Sequence, residues 1–347
     1  MLVDSPPEQC AETAPAPPTR RAIRVIGLLV PVAVLVLVAL TSIAIGAKEL
    51  SPEQVWHGLF QDTGTYGDVV VGERLSRTVL GLLAGAALGL SGAVLQALTR
   101  NPLADPGLLG INAGASAAVV TAMTCFGVTS LNGYVWFAFL GAAAVGALVW
   151  FLGGSRGATP VRLALAGTAI SAALYGYLQA VMITDQAALG KMRFWTVGSL
   201  SSATNSTILQ VLPFLAVGTV LALALARPLN AVAMGDDTAK ALGANLNRTR
   251  ALSMLAATVL CGAATAACGP IAFVGLMVPH VVRSFTGPDL RWILPYATIL
   301  SPVLLLGADV IGRVVARPSE LQAGIVTALI GGPVFIFLVR RRRTAQL

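Results

Sequence analysis

The sequence predicts an all-α polytopic membrane protein of about ten transmembrane helices with both termini in the cytoplasm, and three observations support this fold class. Of the 347 residues, 56% are hydrophobic and 11% are charged, whereas soluble domains carry about 25% charged residues. Charge-poor stretches of about 20 residues, the length that crosses a bilayer, recur along the chain. The Lys and Arg residues between these stretches are distributed unequally, as topology in a membrane requires.

The chain begins with a polar tail and continues as one transmembrane domain. Residues 1–24 are rich in proline and poor in large apolar side chains, so we expect a disordered cytoplasmic tail. The apolar run from Val25 to Ala47 exceeds the roughly 7–15 residues of a signal-peptide core. We interpret it as a retained first span, although Ala44 to Ala47 imitates a cleavage site. The domain 25–347 contains ten predicted spans: 25–46, 75–97, 107–127, 134–153, 162–183, 206–226, 250–268, 271–284, 292–313 and 320–339.

Two predicted elements differ from a plain span. Residues 51–60 should form a short amphipathic helix outside the membrane, because Ser51 can cap it and Pro52 suits its first position. The eighth span is short and contains Gly275 and Pro279. We expect it to be broken or half-buried, since such breaks occur only where protein or a cavity covers the backbone.

Positive charge sets the orientation of the predicted spans. With ten spans and the N-terminus inside, 16 of the 23 Lys and Arg residues fall on the cytoplasmic side, as the positive-inside rule requires. The net charge of +8 is explained by these inner loops and needs no nucleic-acid partner. The seven outer residues are Lys48, Arg74, Arg77, Lys191, Arg193, Arg313 and Arg317.

The outer arginines have two possible explanations. Arg74 and Arg77 lie one turn apart at the predicted start of span two, where the helix dipole opposes positive charge. They either extend to the membrane interface or form a dock for an acidic partner, since guanidinium groups bind carboxylates bidentately. Asp309 and Arg313 are spaced for a local ion pair, which does not prevent Arg313 from joining the same cluster. Glu320 suits the N-terminus of the last span.

Span two carries a stripe of small residues. Gly81, Gly85 and Gly89 make two consecutive GxxxG steps, and Gly92 follows. This spacing allows close helix packing in lipid and says nothing about a transported compound. The span ends on the inner side at Asn101-Pro-Leu103, because proline disfavours helical geometry in the residue before it.

The longest inner connection, residues 228–249, contains the sequence GDDTAKALG. Asp236 or Asp237 near the N-cap and Gly243 at the end predict a short helix there. A helix of this length is marginal alone in water. It must therefore pack on its own bundle or on a soluble partner, and these residues do not distinguish the two.

The sequence contains no motif for covalent chemistry. It has no phosphate-binding loop of the GxxxxGK(S/T) type, no GxSxG elbow and no paired catalytic carboxylates, so we predict no catalytic residues. Two histidines and four cysteines without a CxxC pair give no pattern for a metal or cofactor. The near absence of charge within the spans gives no support to an ion-coupled carrier. We therefore expect the energy source to be another protein.

Eight blocks of this sequence occur in order in a known family. The chain resembles the FecCD family of ABC-importer permeases, which import ferric siderophores, haem and cobalamin, from about residue 50 to the C-terminus. The blocks are RLSR (74–77), LSGAVLQALTRNPLADPGLLGINAGAS (90–116), FWTVGSL (194–200), LN..AMGDDTAKALG (229–243), GPIAFVGLMVPHVVR (269–283), ADVIGR (308–313), ELQAG (320–324) and GGPVFIFL (331–338).

The resemblance implies a multi-pass subunit of the bacterial inner (plasma) membrane. It would dimerise with a second permease, identical or paralogous, around a central pathway surrounded by lipid. Two cytoplasmic ATPase subunits would bind ATP and Mg, and an extracytoplasmic binding protein would deliver the cargo. Ferric siderophores are the expected cargo, and cobalamin and haem are the alternatives. A secondary carrier that works without an ATPase is a more remote alternative.

The resemblance also implies three groups of functional residues and a pathway helix. Arg74, Arg77 and Arg313 would dock acidic residues of the binding protein, and span five, 162–183, would line the pathway. The helix that couples the permease to the ATPase matches Gly235, Asp236, Asp237, Ala239, Leu242 and Gly243, and the cytoplasmic gate matches Asn101, Leu103, Thr159, Pro160 and Val161.

Two positions at the outer mouth depart from the family pattern. Ser76 stands where the family usually has the proline of RLPR, and Gln322 stands where it usually has the proline of ELPxG. Both departures concern the geometry of docking rather than the fold.

Overall fold

The computed structural model describes residues 25–61, 64–128, 131–154 and 160–344, and every regular element in these ranges is helical. The predicted tail 1–24 lies outside them. The helices are α1 Leu29–Ala44, α2 Pro52–Phe60, α3 Tyr66–Thr99, a 3-10 turn Pro106–Leu109, α4 Ile111–Cys125, α5 Leu131–Gly154, α6 Pro160–Thr184, α7 Gln186–Trp195, α8 Asn205–Ala224, α9 Ala226–Ala233, α10 Asp236–Ala241, α11 Leu246–Cys268, α12 Val274–Thr286, α13 Leu290–Val315 and α14 Ala323–Thr344.

Each predicted span corresponds to one helix, so the all-α polytopic class is confirmed. Seven helices among the described residues are long and apolar enough to cross a membrane, namely α1, α3, α5, α6, α8, α11 and α13. Helix α4 and the segment Ala323–Phe337 of α14 are apolar but shorter. The cytoplasmic location of the termini stays a prediction.

The remaining predicted span, the eighth, is short and partly buried as expected, but its helix continues through Gly275 and Pro279, and the break lies before it, at residues 269–273. Its helix α12 begins at Val274 and has 13 residues, roughly 20 Å at 1.5 Å per residue, which is less than the hydrocarbon thickness. Gly269 and Phe273 before it have φ angles of 74° and 68°. The broken backbone is covered by protein: Ser199 N donates to the Cys268 carbonyl at 2.7 Å, which satisfies a carbonyl at the end of α11.

Helix α3 is the centre of the bundle and is longer than predicted. It has 34 residues, and 78% of its most apolar window is buried. It begins at Tyr66 rather than near residue 75, because Thr65 and Asp68 form a capping box and the helix continues beyond the apolar segment. Arg74 therefore lies in the third turn, and the prediction that it opposes the dipole at a helix start was wrong.

The glycine stripe of α3 brings its neighbours into backbone contact. A methyl group added to Gly85 would lie 2.6 Å from Cα of Pro302 in α13, and one added to Gly92 would overlap the carbonyl of Gly275 in α12. Real side chains cannot occupy this space, so glycine is required for the observed spacing. The prediction of close packing along span two is confirmed.

Helices α1 and α6 are poorly covered by the rest of the chain, and their polarity differs. In α1, 6% of the most apolar 18-residue window is buried and the mean hydropathy is 2.7. In α6, 17% of the corresponding window is buried and the mean hydropathy is 1.3. Its exposed residues include Thr168, Tyr175 and Gln179. The surface of α1 suits lipid. The more polar surface of α6 suits a water-filled space or another chain.

Candidate functional site

Charged side chains gather at the two ends of the bundle. The outer cluster contains Arg74, Arg77 and Arg313, and the inner cluster contains Arg100 and Asp236. Arg74 and Arg100 are separated along α3 by roughly 39 Å at 1.5 Å per residue, which exceeds the hydrocarbon core of about 30 Å. The two clusters therefore belong to opposite membrane surfaces.

In the outer cluster, Asp309 is shared by two arginines. Arg77 Nη2 donates to Asp309 Oδ1 at 2.7 Å, and Arg77 Nε lies 3.0 Å from Oδ2. Arg313 Nη2 lies 2.8 Å from the same Oδ2, which confirms the predicted pair four residues apart. The Asp309 side chain is completely buried. Arg77 Nη1 also donates to Glu320 at 2.7 Å.

Three guanidinium groups bind the carbonyls at the C-terminus of α1. Arg313 donates to Ser42 O at 2.9 Å and to Ile45 O at 3.1 Å. Arg74 donates to the carbonyls of Ile43, Ala44 and Lys48, and Arg317 donates to the Gly46 carbonyl at 2.8 Å. The last carbonyls of a helix have no partner within the helix, and cations there favour its negative end. These arginines therefore cap α1.

The predicted docking arginines thus have internal partners. Arg74, Arg77 and Arg313 are 6%, 8% and 1% exposed, so they face the bundle rather than open solvent. All three nevertheless line a polar cleft of about 440 Å³, together with Lys48, Tyr66, Glu73, Glu320 and residues 201–204. Docking of an acidic partner here stays a prediction, and such a partner would have to enter this cleft.

Two residues of the outer cluster were not predicted in their observed roles. Glu320 was expected at the N-terminus of the last span, but α14 begins at Ala323 and the Glu320 carboxylate binds Arg77 instead. Ser42 accepts from Arg313 at 2.8 Å and bonds to Thr78 at 2.9 Å. No local spacing could have paired Arg77 with Glu320, because 243 residues separate them. Ser76, one of the departures, bonds to Asn205 at 3.0 Å.

At the inner end, the loop helix α10 packs on its own chain and also exposes apolar surface. Ala239 is buried against Val232 and Leu246, whereas Met234 and Leu242 are 66% and 64% exposed. One side of the loop therefore packs on its own bundle, and the other side presents apolar side chains that a soluble partner could contact. Gly235 and Gly243 bound α10 with φ angles of 117° and 77°, and Asp236 and Asp237 occupy its first turn.

Asp236 joins α10 to two other helices. Arg100, at the end of α3, and Arg250, in α11, both pair with its carboxylate, the latter at 2.7 Å. Partial burial raises the pKa of Asp236, but the hydrogen bonds and charges of Arg250 and Arg100 lower it by more. Its pKa therefore lies below its usual value, and the bridge is present at neutral pH.

The predicted gate residues are only partly brought together. Asn101 and Val161 line one cavity of about 330 Å³, and Leu103 is not part of its lining. Thr159 lies outside the described residues, as does the side chain of Pro160. Sequence reasoning missed Asp105, which also lines this cavity and accepts from Gly107 N at 2.7 Å. An acidic residue directly before a proline is typical of a helix N-cap, and this sequence pattern could have identified Asp105.

Among the described residues, no group of three His, Cys, Asp or Glu side chains is placed to hold a metal ion. Cys261 and Cys268 are both buried in α11. Cys261 Sγ lies 3.6 Å from Asn112 Oδ1. Cys261 is part of the packing between α11 and α4, whereas Cys268 Sγ donates to the Ala264 carbonyl of its own helix.

The chain is similar to known proteins in both sequence and structure. A model of the FecCD transport family matches residues 34–341. The ferric enterobactin transport system permease protein FepD of Escherichia coli K12 is 47% identical over 326 residues, which cover 93% of this chain and 96% of that protein. The Fe(3+)-citrate import system permease protein YfmD of Bacillus subtilis 168 is 38% identical, with coverage of 88% and 91%. A solved inward-facing structure of a metal-chelate type ABC transporter has a TM-score of 0.80 and 28% identity, covering 91% of this chain and 99% of its own.

Proposed function

The chain belongs to the FecCD transport family, and from this premise we propose that it is the membrane permease of an ATP-driven importer for ferric siderophores. It would pair with a second permease, identical or paralogous, in the bacterial inner membrane. Two cytoplasmic ATPase subunits would hold ATP and Mg, and an extracytoplasmic binding protein would deliver the chelate. The chain itself would bind no cofactor and perform no covalent chemistry.

The surface of α6 is the observation that carries this proposal. Helix α6 combines low burial with a mean hydropathy of 1.3, less than half the 2.7 of the lipid-facing α1. Exposed polar groups such as those of Thr168 and Gln179 are less favourable against hydrocarbon than the aliphatic surface of α1. If a second permease stands opposite α6, Thr168, Tyr175 and Gln179 line a shared polar pathway. A bulky chelate needs such a wide pathway rather than a tight site within one chain.

The polar cleft supports docking at the outer side. Arg74, Arg77 and Arg313 place three positive charges beside two negative ones, Asp309 and Glu320. An additional carboxylate from a binding protein would balance the remaining positive charge. The three arginines would thus dock the binding protein, and two of them, Arg74 and Arg313, also hold α1 in place.

Uptake of labelled cargo tests the proposal. Cells with and without this gene are given ferric catecholate siderophore labelled with radioactive iron, and cobalamin and haemin in parallel. We expect removal of the gene to abolish iron uptake alone. Loss of cobalamin or haemin uptake alone would instead favour that cargo. Uptake that persists when the partner ATPase cannot hydrolyse ATP would favour the secondary carrier.

The exposed apolar side chains of the inner loop predict where the ATPase binds. We expect Leu242→Glu to weaken co-purification of the ATPase subunit by about ten-fold, since a large apolar contact at an interface is worth on the order of 1–2 kcal/mol. The permease itself should remain folded, because Leu242 is 64% exposed. Asn247→Glu adds the same charge to an exposed position on the neighbouring turn and should leave co-purification unchanged. Equal losses in both variants would argue against this interface.

A further inference from the structure

Arg100 ends α3 in an unusual backbone conformation. Its φ angle is 51°, in the left-handed region, and Phe273 is the one other non-glycine residue with positive φ among the described residues. This conformation at the end of a helix is ordinarily taken by glycine or asparagine. An arginine there indicates that its side chain has a role that compensates for the backbone strain.

The Arg100 side chain connects α3 to the inner loop by two kinds of contact. Its Nε donates to the Val232 carbonyl at the end of α9 at 2.9 Å, and its terminal nitrogen pairs with Asp236 in the first turn of α10. The planar guanidinium fixes both directions at once, which a lysine ammonium cannot do. The Arg100 side chain therefore bridges α10 and the end of α3.

The residues after Arg100 form the wall of the inner cavity. Asn101 N donates to Gln96 O at 3.2 Å, and Asn101 Oδ1 accepts from Leu103 N at 3.0 Å. These bonds make the turn after α3 one connected unit. Asn101 lines the cavity together with Val161 and Thr168 of α6.

We propose that Arg100 is the positioning residue that connects movement of α10 to the width of this cavity. The inference rests on the proposed function, because α10 must receive force from a partner ATPase. Movement of α10 displaces Asp236. Through the Asp236–Arg100 pair, this displacement changes the backbone conformation of Arg100. Asn101, the next residue, then moves relative to α6. The two-contact guanidinium makes the connection stiff. Without this guanidinium, ATP hydrolysis would continue, but the cavity wall would no longer move together with α10.

The test uses the complete transporter, with its ATPase subunits and binding protein, in proteoliposomes. ATP hydrolysis and iron-siderophore uptake are measured in the same preparation for wild type and for Arg100→Gln. We expect uptake per ATP hydrolysed to fall about ten-fold, within the range of measured coupling effects. Asp236→Asn keeps the side-chain shape and should cause a similar fall, and Arg100→Lys should lie between wild type and Arg100→Gln.

Arg291→Gln is the matched control. Arg291 also pairs with an aspartate at the inner end, but it is exposed and contacts Asp289 two residues away rather than α10. Its ratio of uptake to hydrolysis should equal that of wild type. If Arg100→Gln and Asp236→Asn keep the wild-type ratio, or lose uptake and hydrolysis in equal proportion, the inference is overturned. If wild type itself takes up no siderophore, the proposed function has failed instead.

A local readout tests the movement directly. Thr168→Cys, in a background with Cys10→Ser and Cys125→Ser, reports access to the cavity through its rate of modification by a small thiol reagent. We expect ATP with vanadate to change this rate in the complex and expect Arg100→Gln to remove the change. A nucleotide-dependent change that survives in Arg100→Gln would overturn the role assigned to Arg100.

Discussion

Asp309→Ala is expected to reduce the free energy of unfolding in detergent by about 3–5 kcal/mol. The Asp309 carboxylate is completely buried and accepts from Arg77 and Arg313. Without it, two largely buried guanidinium groups lie near each other with only Glu320 to balance them. Removing one partner of a buried ion pair is far more destabilising than replacing the whole pair, because the remaining charge is left uncompensated.

A thermal unfolding curve of the purified permease measures this effect. We expect the apparent Tm to fall by about 5 °C or more, using the usual relation between stability and Tm. Glu49→Gln is the control, since Glu49 belongs to the same outer end but its side chain is 83% exposed in its pair with Arg317. An exposed pair contributes about 1 kcal/mol or less. Similar decreases in apparent Tm for Asp309→Ala and Glu49→Gln would contradict a stabilising role of the buried ion pairs of Asp309.

Gly92→Ala is expected to destabilise the bundle by about 3 kcal/mol or more, at the upper end of overpacking effects. The added methyl group would overlap the carbonyl of Gly275. Backbone atoms cannot rotate away as a flexible side chain can, so α3 and α12 would have to separate. Because Gln96 Nε2 also donates to Leu276 O at 2.9 Å across this contact, the separation would break a buried hydrogen bond as well.

Gly72→Ala on the same helix is the matched control. No atom lies within 4 Å of a methyl group placed at Gly72, and alanine is the better helix former by up to about 1 kcal/mol. Gly72→Ala should therefore leave the apparent Tm unchanged or raise it, while Gly92→Ala lowers it. A small effect of Gly92→Ala would mean that α3 and α12 are not as close as the structure has them.

The transmembrane helices were predictable because hydrophobic length and charge-free composition act locally. The same is true of the Asp309–Arg313 pair, whose partners lie four residues apart on one helix, and of the stripe from Gly81 to Gly92. These features depend on helical periodicity, which the sequence contains directly. Helix α3 exceeded its predicted length because a capping box, not hydrophobicity, decides where it begins.

The contacts of the outer arginines could not be predicted, because they join residues far apart in the chain. Arg77 binds Glu320 across 243 residues and Arg313 binds Ser42 across 271. Charge reasoning identified these arginines as exceptional, but it could not say whether an internal or an external group neutralises them. The cavity role of Asp105 was missed for the same reason: it depends on the fold of the break between α3 and α4.

The arginine cap of α1 has a consequence for the order in which this protein is assembled. Helix α1 enters the membrane early in synthesis, but Arg313, which binds Ser42, is made 271 residues later. Arg74 can bind the Ile43 and Ala44 carbonyls soon after synthesis, but until Arg313 is made, water at the outer surface must satisfy the Ser42 and Ile45 carbonyls that Arg313 binds. The cap at the end of α1 is therefore completed only after α13 has been translated.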